Sequence, residues 1–240
     1  MNKIIIANWK MNPGTREEAV FLAESTDSDG FVIAPPFLFI QAVRETVSKA
    51  SLGAQDLFWE NKGAFTGEVS APELRDMGVR YVIIGHSDRR RLGDTDEMIA
   101  KKISSAMREN IIPILCVGED KDNHDAGLAE KVVKNQININ LALVKDLIGE
   151  IILAYEPIWA ISTEIGAKPD SPENAVKMMN FIKDLVKGCK FKSRLIYGGS
   201  VNTRNAESFL SKKEIQGALV GGASLKPQEM NEILAVSKKY

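Results

Sequence analysis

The sequence predicts a single α/β domain in which eight parallel strands close into a (β/α)8 barrel with helices outside. Three observations lead there. Eight short, β-rich apolar runs recur along the 240 residues. Helix-start signals fall in the intervals between them. No linker, low-complexity stretch or composition break divides the chain, so residues 1–240 read as one domain, and such barrels take about 250 residues. An open doubly wound sheet is the runner-up, but no GxGxxG follows the first run.

The runs, in order, are IIIA (4–7), FVIA (31–34), SLGA (51–54) and YVIIG (81–85), then IIPILCVG (111–118), IILAY (151–155), RLIYGG (194–199) and GALVGG (217–222). Most lack polar alternation, which marks strands buried on both faces. After the first run, TREE (15–18) reads as a capping box, with a hydroxyl and a returning glutamate satisfying orphan backbone donors. SAPE (70–73) carries the same signal before the fourth run. Residues 94–109 place Ile99, Ile103 and Ala106 on one helical face. SPEN (171–174) puts Ser171 at a helix N-cap and Pro172 at the first helical position. Val176, Met179, Ile182 and Val186 then share a face.

Composition narrows the function classes. The chain is 44% hydrophobic and 26% charged, with net charge -1. That balance offers no electrostatic footprint for nucleic acid or an anionic membrane. Apolar runs such as IIPIL are far too short to span a bilayer, and the N-terminus has no signal-peptide core. The two cysteines, Cys116 and Cys189, form no CxxC pair and read as buried thiols in a reducing cytosol. The two histidines, His86 and His124, lie far apart, so no metal is expected. A cytoplasmic enzyme is the reading these bounds favour.

In a barrel of this kind, chemistry sits at the C-terminal ends of the strands. The residues that follow the runs are unusual here: Asn8, Lys10, His86, Glu119, Glu156, Ser200, Gly221 and Gly222. Lys10, between Trp9 and Met11, is expected to lay its stem on apolar surface and aim its ammonium at the barrel mouth. A fixed cation there binds an anion and stabilises charge developing on oxygen, although an isolated lysine is ordinarily solvated. His86 precedes SDRRR, which reads as the start of a short helix. An imidazole aimed at by a helix N-terminus stays neutral and can donate a hydrogen bond. His124, in the polar run EDKDNHDAG, reads as a solvated loop residue. Glu156 ends the sixth run, and glutamate is rarely buried without a partner. The following PIWAI opens no helix for it to cap, so a shielded general base is the better account. The glycine pairs of YGGSV (197–201) and LVGGAS (219–224) let backbone N–H groups approach a ligand, at the two loops where such barrels bind phosphate.

NWKMN (8–12), GAFTGEVS (63–70), GHSDRR (85–90), CVGE (116–119), YEPIWAI (155–161), YGGSV and LVGGASL (219–225) occur in that order along the chain. In this set the sequence closely resembles the triosephosphate isomerase family, whose fold is the TIM barrel. The resemblance implies that Glu156 is the base and His86 the neutral electrophile, while Lys10 and Asn8 bind substrate and stabilise the oxyanion. It implies that Ser200, Gly221 and Gly222, with backbone near Ser162, hold the phosphate of a triose phosphate. It also implies a homodimer in which Phe65, Thr66 and Gly67 reach a neighbouring subunit, and a reaction with no cofactor. These roles belong to the family and are not independent deductions.

The chain departs from the family pattern twice. Asp88 stands where the family usually has glutamate, a side chain shorter by about 1.5 Å, which puts any contact to Lys10 in question. The family's IGTG reads ISTE (161–164), in a longer loop before Ser171. Two glycines are thereby lost, and with them the backbone freedom they give. A Glu164 carboxylate about 6 Å from a phosphate would be repelled by about 3 kcal/mol per unit charge at an effective dielectric of 20. Glu164 is therefore expected to point outward, with the Ser162 N–H as the donor. The altered loop leaves an alternative: a phosphosugar-binding barrel with weak or changed isomerase activity. A different phosphosugar barrel enzyme would share the phosphate loops, but not the Asn8, Lys10, His86 and Glu156 set.

Overall fold

A computed structural model describes residues 3–161 and 170–240. Its eight strands are β1 Ile4–Asn8, β2 Phe31–Ala34, β3 Ser51–Ala54, β4 Tyr81–Ile84, β5 Ile112–Val117, β6 Glu150–Tyr155, β7 Lys192–Tyr197 and β8 Gly217–Val220. They pair in parallel in chain order, and β8 closes on β1, with Ile4 opposite Gly217 and Ala7 opposite Val220. This is the predicted (β/α)8 barrel. All eight runs form strands. The glycine pairs fall just beyond β7 and β8, where they belong to loops.

The helices are α1 Arg16–Thr26, α2 Ile40–Thr46, α3 Ala71–Asp76, α4 Ser87–Arg91, α5 Asp96–Arg108, α6 Lys121–Asp125, α7 Ala129–Asn140, α8 Pro172–Leu185, α9 Ala206–Leu210 and α10 Pro227–Ser237. Caps start several of them where the sequence indicates. Ser70 and Glu73 form a complete capping box on α3, and Ser171 caps α8 ahead of Pro172. The box at α1 is only half formed. Thr15 accepts from the Glu18 N–H, but the Glu18 carboxylate turns to the Gly14 N–H at 3.2 Å. On α5, Ile99, Ile103 and Ala106 are fully buried, as are Met179 and Ile182 on α8.

The unbroken apolar runs follow from two cores separated by the barrel wall. Ile4, Ile6, Val32, Ala34, Ile83, Ile114, Ile152, Ala154, Ile196 and Leu219 fill the interior. Their alternates on the same strands, such as Ile5, Ala7, Ile33, Leu153 and Leu195, face the helices. Each fully buried isoleucine contributes about 2 kcal/mol of transfer free energy. Toward the strand N-termini the interior series ends in charge, where Arg194 pairs with Glu150 at 3.3 Å. Cys116 lies inside the barrel, where burial pushes its thiol well up. Cys189 is only half buried, contrary to the expectation, because it follows the last buried turn of α8. Among the described residues, no helix is long and apolar enough to cross a membrane.

Candidate active site

Three strand ends converge at the C-terminal mouth. Beyond β1, the Asn8 side chain accepts the Lys10 N–H at 3.0 Å and folds the chain into a tight turn. Lys10 consequently has φ 53°, a left-handed conformation that costs a non-glycine residue about 1 kcal/mol or more. Gln55 braces the turn by donating to the carbonyls of Lys10 and Ala34, at 2.8 and 2.9 Å. The Lys10 Nζ lies 3.1 Å from Asp88 Oδ2. The shorter Asp88 thus keeps a direct contact. Of the two apolar neighbours in sequence, Trp9 is buried and Met11 is not. Met11 is 94% exposed, and the turn and the ion pair hold Lys10 instead.

Beyond β4, Gly85 takes φ 74° against the Cys116 carbonyl, a turn with little room for a side chain. It delivers His86 to the N-cap of α4, where Nδ1 accepts the Asp88 N–H at 3.0 Å. An accepting nitrogen carries no proton, so the ring is neutral with its hydrogen on Nε2. That nitrogen lies 3.0 Å from Glu156 Oε1. The Asp88 carboxyl is held below the usual range. Burial opposes its ionisation, and Lys10 and Arg91, joined by the His86 ring once that ring is charged, outweigh that.

Glu156 continues β6 by donating its N–H to Val117 O. Its carboxylate, buried at 3% exposure, accepts from the Ser87 N–H at 3.0 Å and the Ser87 hydroxyl at 3.2 Å. The carboxylate therefore rests on the N-terminus of α4, beside the imidazole. Gly118 makes this approach possible, because a Cβ there would overlap the Glu156 carbonyl.

Asn8, Lys10, His86 and Glu156 line one cavity of about 830 Å³, together with Ser200, Gly221 and Gly222. The last two open the turn Gly222–Leu225, whose first N–H groups have no partner within the turn. Gly221 also lies beside the Lys10 stem. The cavity thus joins a carboxylate, a neutral imidazole and an ammonium to a glycine-lined end suited to an anion. Ser162 and Glu164 lie outside the described residues. Phe65, Thr66 and Gly67 stand apart from the cavity on an exposed loop, where Phe65 packs on Phe58 at 4.7 Å between ring centroids.

Sequence reasoning misses Ser87 and Gln55, which touch the site residues directly. Ser87 follows His86 in GHSDRR, but a serine opening a helix reads as a cap. It also leaves Glu119 without a role. Glu119 is buried and accepts from Trp159 Nε1 at 2.7 Å and from the Tyr155 hydroxyl. His124 is not a solvated loop residue: its ring stacks on Trp159 at 3.9 Å.

The fold and this juxtaposition define a class, a barrel enzyme that moves protons on a small anionic substrate. A sequence model of the triosephosphate isomerase family matches residues 3–237. The chain is 41% identical to the triosephosphate isomerase of Aquifex aeolicus, over 98% of this chain and 99% of the relative. It is 44% identical to that of Dictyoglomus thermophilum (97% and 98%) and 41% identical to that of Mesomycoplasma hyopneumoniae (99% and 100%). The chain belongs to the triosephosphate isomerase family.

Proposed function

We infer that the protein interconverts dihydroxyacetone phosphate and D-glyceraldehyde 3-phosphate, an aldose–ketose isomerisation within one molecule. The single observation that carries the assignment of roles is the meeting of two buried groups, Glu156 Oε1 and His86 Nε2, at 3.0 Å in a cavity that also holds Lys10. The substrate phosphate occupies the end formed by Ser200, Gly221 and Gly222, and the family pattern adds a donor at Ser162. The carbonyl oxygen then lies toward His86, Lys10 and Asn8. For this the close His86–Glu156 contact gives way, freeing the N–H for the carbonyl and the carboxylate for carbon.

Glu156 removes a proton from C1 of the ketose, and the electron pair moves toward the carbonyl oxygen. The His86 N–H and the Lys10 ammonium stabilise the resulting enediolate. His86 gives its proton to O2 and recovers one from O1, while Glu156 returns the carbon-derived proton to C2. The neutral imidazole and the carboxylate end as they began, so the scheme calls for no cofactor or metal. Positioned base catalysis supplies about 10²–10⁴-fold, and each oxyanion donor about 10²–10³-fold. The exposed Phe65–Thr66–Gly67 loop supports a homodimer, and the composition supports a cytoplasmic enzyme.

A coupled assay of Glu156→Gln tests the assignment. Turnover is expected to fall at least about 10²-fold, with the thermal midpoint retained. Equal turnover in the two proteins removes Glu156 from its role.

A further inference from the structure

The scheme above leaves a buried carboxylate and a histidine unused. Trp159 stands three residues after Glu156, in the turn Ile158–Ala160. Its indole is fixed at an edge and on a face. The edge N–H donates to Glu119 Oε1 at 2.7 Å, and the His124 ring covers the face at 3.9 Å, 28° from parallel. His124 Nδ1 is itself 3.5 Å from the same Glu119 oxygen. One carboxylate oxygen therefore faces both rings.

That distance is too long for a good hydrogen bond from a neutral imidazole. It is well within reach of an ion pair. Glu119 is almost wholly buried, and its remaining partner among the described residues is the Tyr155 hydroxyl. Burial and the Glu119 charge push that phenol upward, so it remains a donor. Among the described residues, His124 is the one basic side chain within ion-pair distance of Glu119. A proton on His124 strengthens both restraints on Trp159. It draws the ring toward the carboxylate, and it sets a cation against the indole face.

We propose that His124 is a proton-responsive positioning residue that, through Glu119 and Trp159, sets how firmly the Glu156–Ile161 segment is held. Histidine is the side chain whose charge ordinarily changes between about pH 5 and 8. Glu156 must leave Ser87 and His86 before it can reach substrate carbon, and only Pro157 and Ile158 separate it from Trp159. A tighter Trp159 therefore alters the freedom of the base. Other charges bear on the clamp as well. Asp170 interacts electrostatically with Glu119 and Tyr155. On α6, Lys121 pairs with Asp125, and Asp120 caps the helix beside Asp122. All these groups remain in a His124→Gln variant, so a difference between the two proteins reports the imidazole.

The activity part of the test rests on the isomerase reading, whereas the resonance part does not. The Trp159 indole N–H is followed by ¹H–¹⁵N spectroscopy from pH 5 to 8.5 in wild type and His124→Gln, assigned with Trp159→Phe. Wild type is expected to show a titration of this resonance, with slower solvent exchange in acid than His124→Gln shows at the same pH. The ratio of wild-type to His124→Gln kcat is expected to change at least threefold between pH 5.5 and 8. Both proteins should share the same thermal midpoint at pH 8. A Trp159 resonance that titrates identically in both proteins, or a kcat ratio constant across pH, overturns the proposal. Absence of turnover in wild type overturns the isomerase reading alone and leaves the resonance comparison decisive.

Discussion

His86 Nε2 and Glu156 Oε1 face each other at 3.0 Å, and the other ring nitrogen is already taken. Nδ1 accepts the Asp88 N–H at 3.0 Å, so the hydrogen of the neutral ring lies on Nε2, 3.0 Å from Glu156 Oε1. Imidazole ¹⁵N shifts should show the Nε2–H tautomer at neutral pH. Protonated Nδ1 in the free enzyme would contradict the assignment. His86→Gln is expected to lower kcat by about 10²–10³-fold, as for loss of an oxyanion donor. KM should change little, because the phosphate end of the cavity is untouched.

The Lys10–Asp88 pair yields a second expectation. Asp88 tethers an ammonium that already sits in a strained backbone conformation. The pair is partly exposed, so its contribution is about 1 kcal/mol or less. Asp88→Asn should accordingly raise KM by up to about fivefold with kcat less affected. Its pH dependence has a definite sign. The Asp88 carboxyl is held below its ordinary range by Lys10 and Arg91, and by His86 once its ring is charged, against the effect of burial. Its contribution to stability is complete above the ordinary carboxylate value of about 4 and disappears as pH falls through the lowered one. The thermal midpoints of wild type and Asp88→Asn should differ at pH 7 and converge in strong acid. A gap that persists there would show that the bridge is not its source.

The barrel is legible in the sequence because both faces of each strand are buried, which leaves unbroken apolar runs that need no long-range information to recognise. Glu156 and His86 are legible for a related reason, since each is a polar residue that closes such a run. What escapes local reading is contact between segments distant in sequence. Ser87 meets Glu156 across 69 positions, and nothing in its own neighbourhood distinguishes it from a helix cap. His124 meets Trp159 only because α6 packs on the turn after β6. Met11 adjoins Lys10 in sequence, yet it is 94% exposed and offers the lysine stem no buried surface. Lys102 is hidden by its type, since a lysine in a helix is ordinarily solvated.

Lys102 is in fact 2% exposed on α5, and it gives the last expectation. Its ammonium lies 2.8 and 2.9 Å from the two Asp56 oxygens and 2.6 Å from Asp94 Oδ2. Arg89 of α4 completes the set, at 2.9 Å from Asp56 and 3.1 Å from Asp94. Two cations and two carboxylates thus join the loop after β3 to α4 and α5. Since α4 carries Ser87 and has His86 as its N-cap, this network braces the platform on which Glu156 rests. Burial pushes the Asp56 carboxyl upward in spite of Lys102 and Arg89, so the pairing offsets only part of the desolvation. Lys102→Met would leave two buried carboxylates facing one guanidinium. The expected loss is about 3–5 kcal/mol, read as a fall in the urea midpoint. Adding Asp94→Asn, or Asp56→Asn in its place, leaves one carboxylate facing Arg89 and should recover most of it. A single variant with an unchanged midpoint would mean that the network contributes no net stability. A loss that the added substitutions do not recover would place the cost in packing instead of charge.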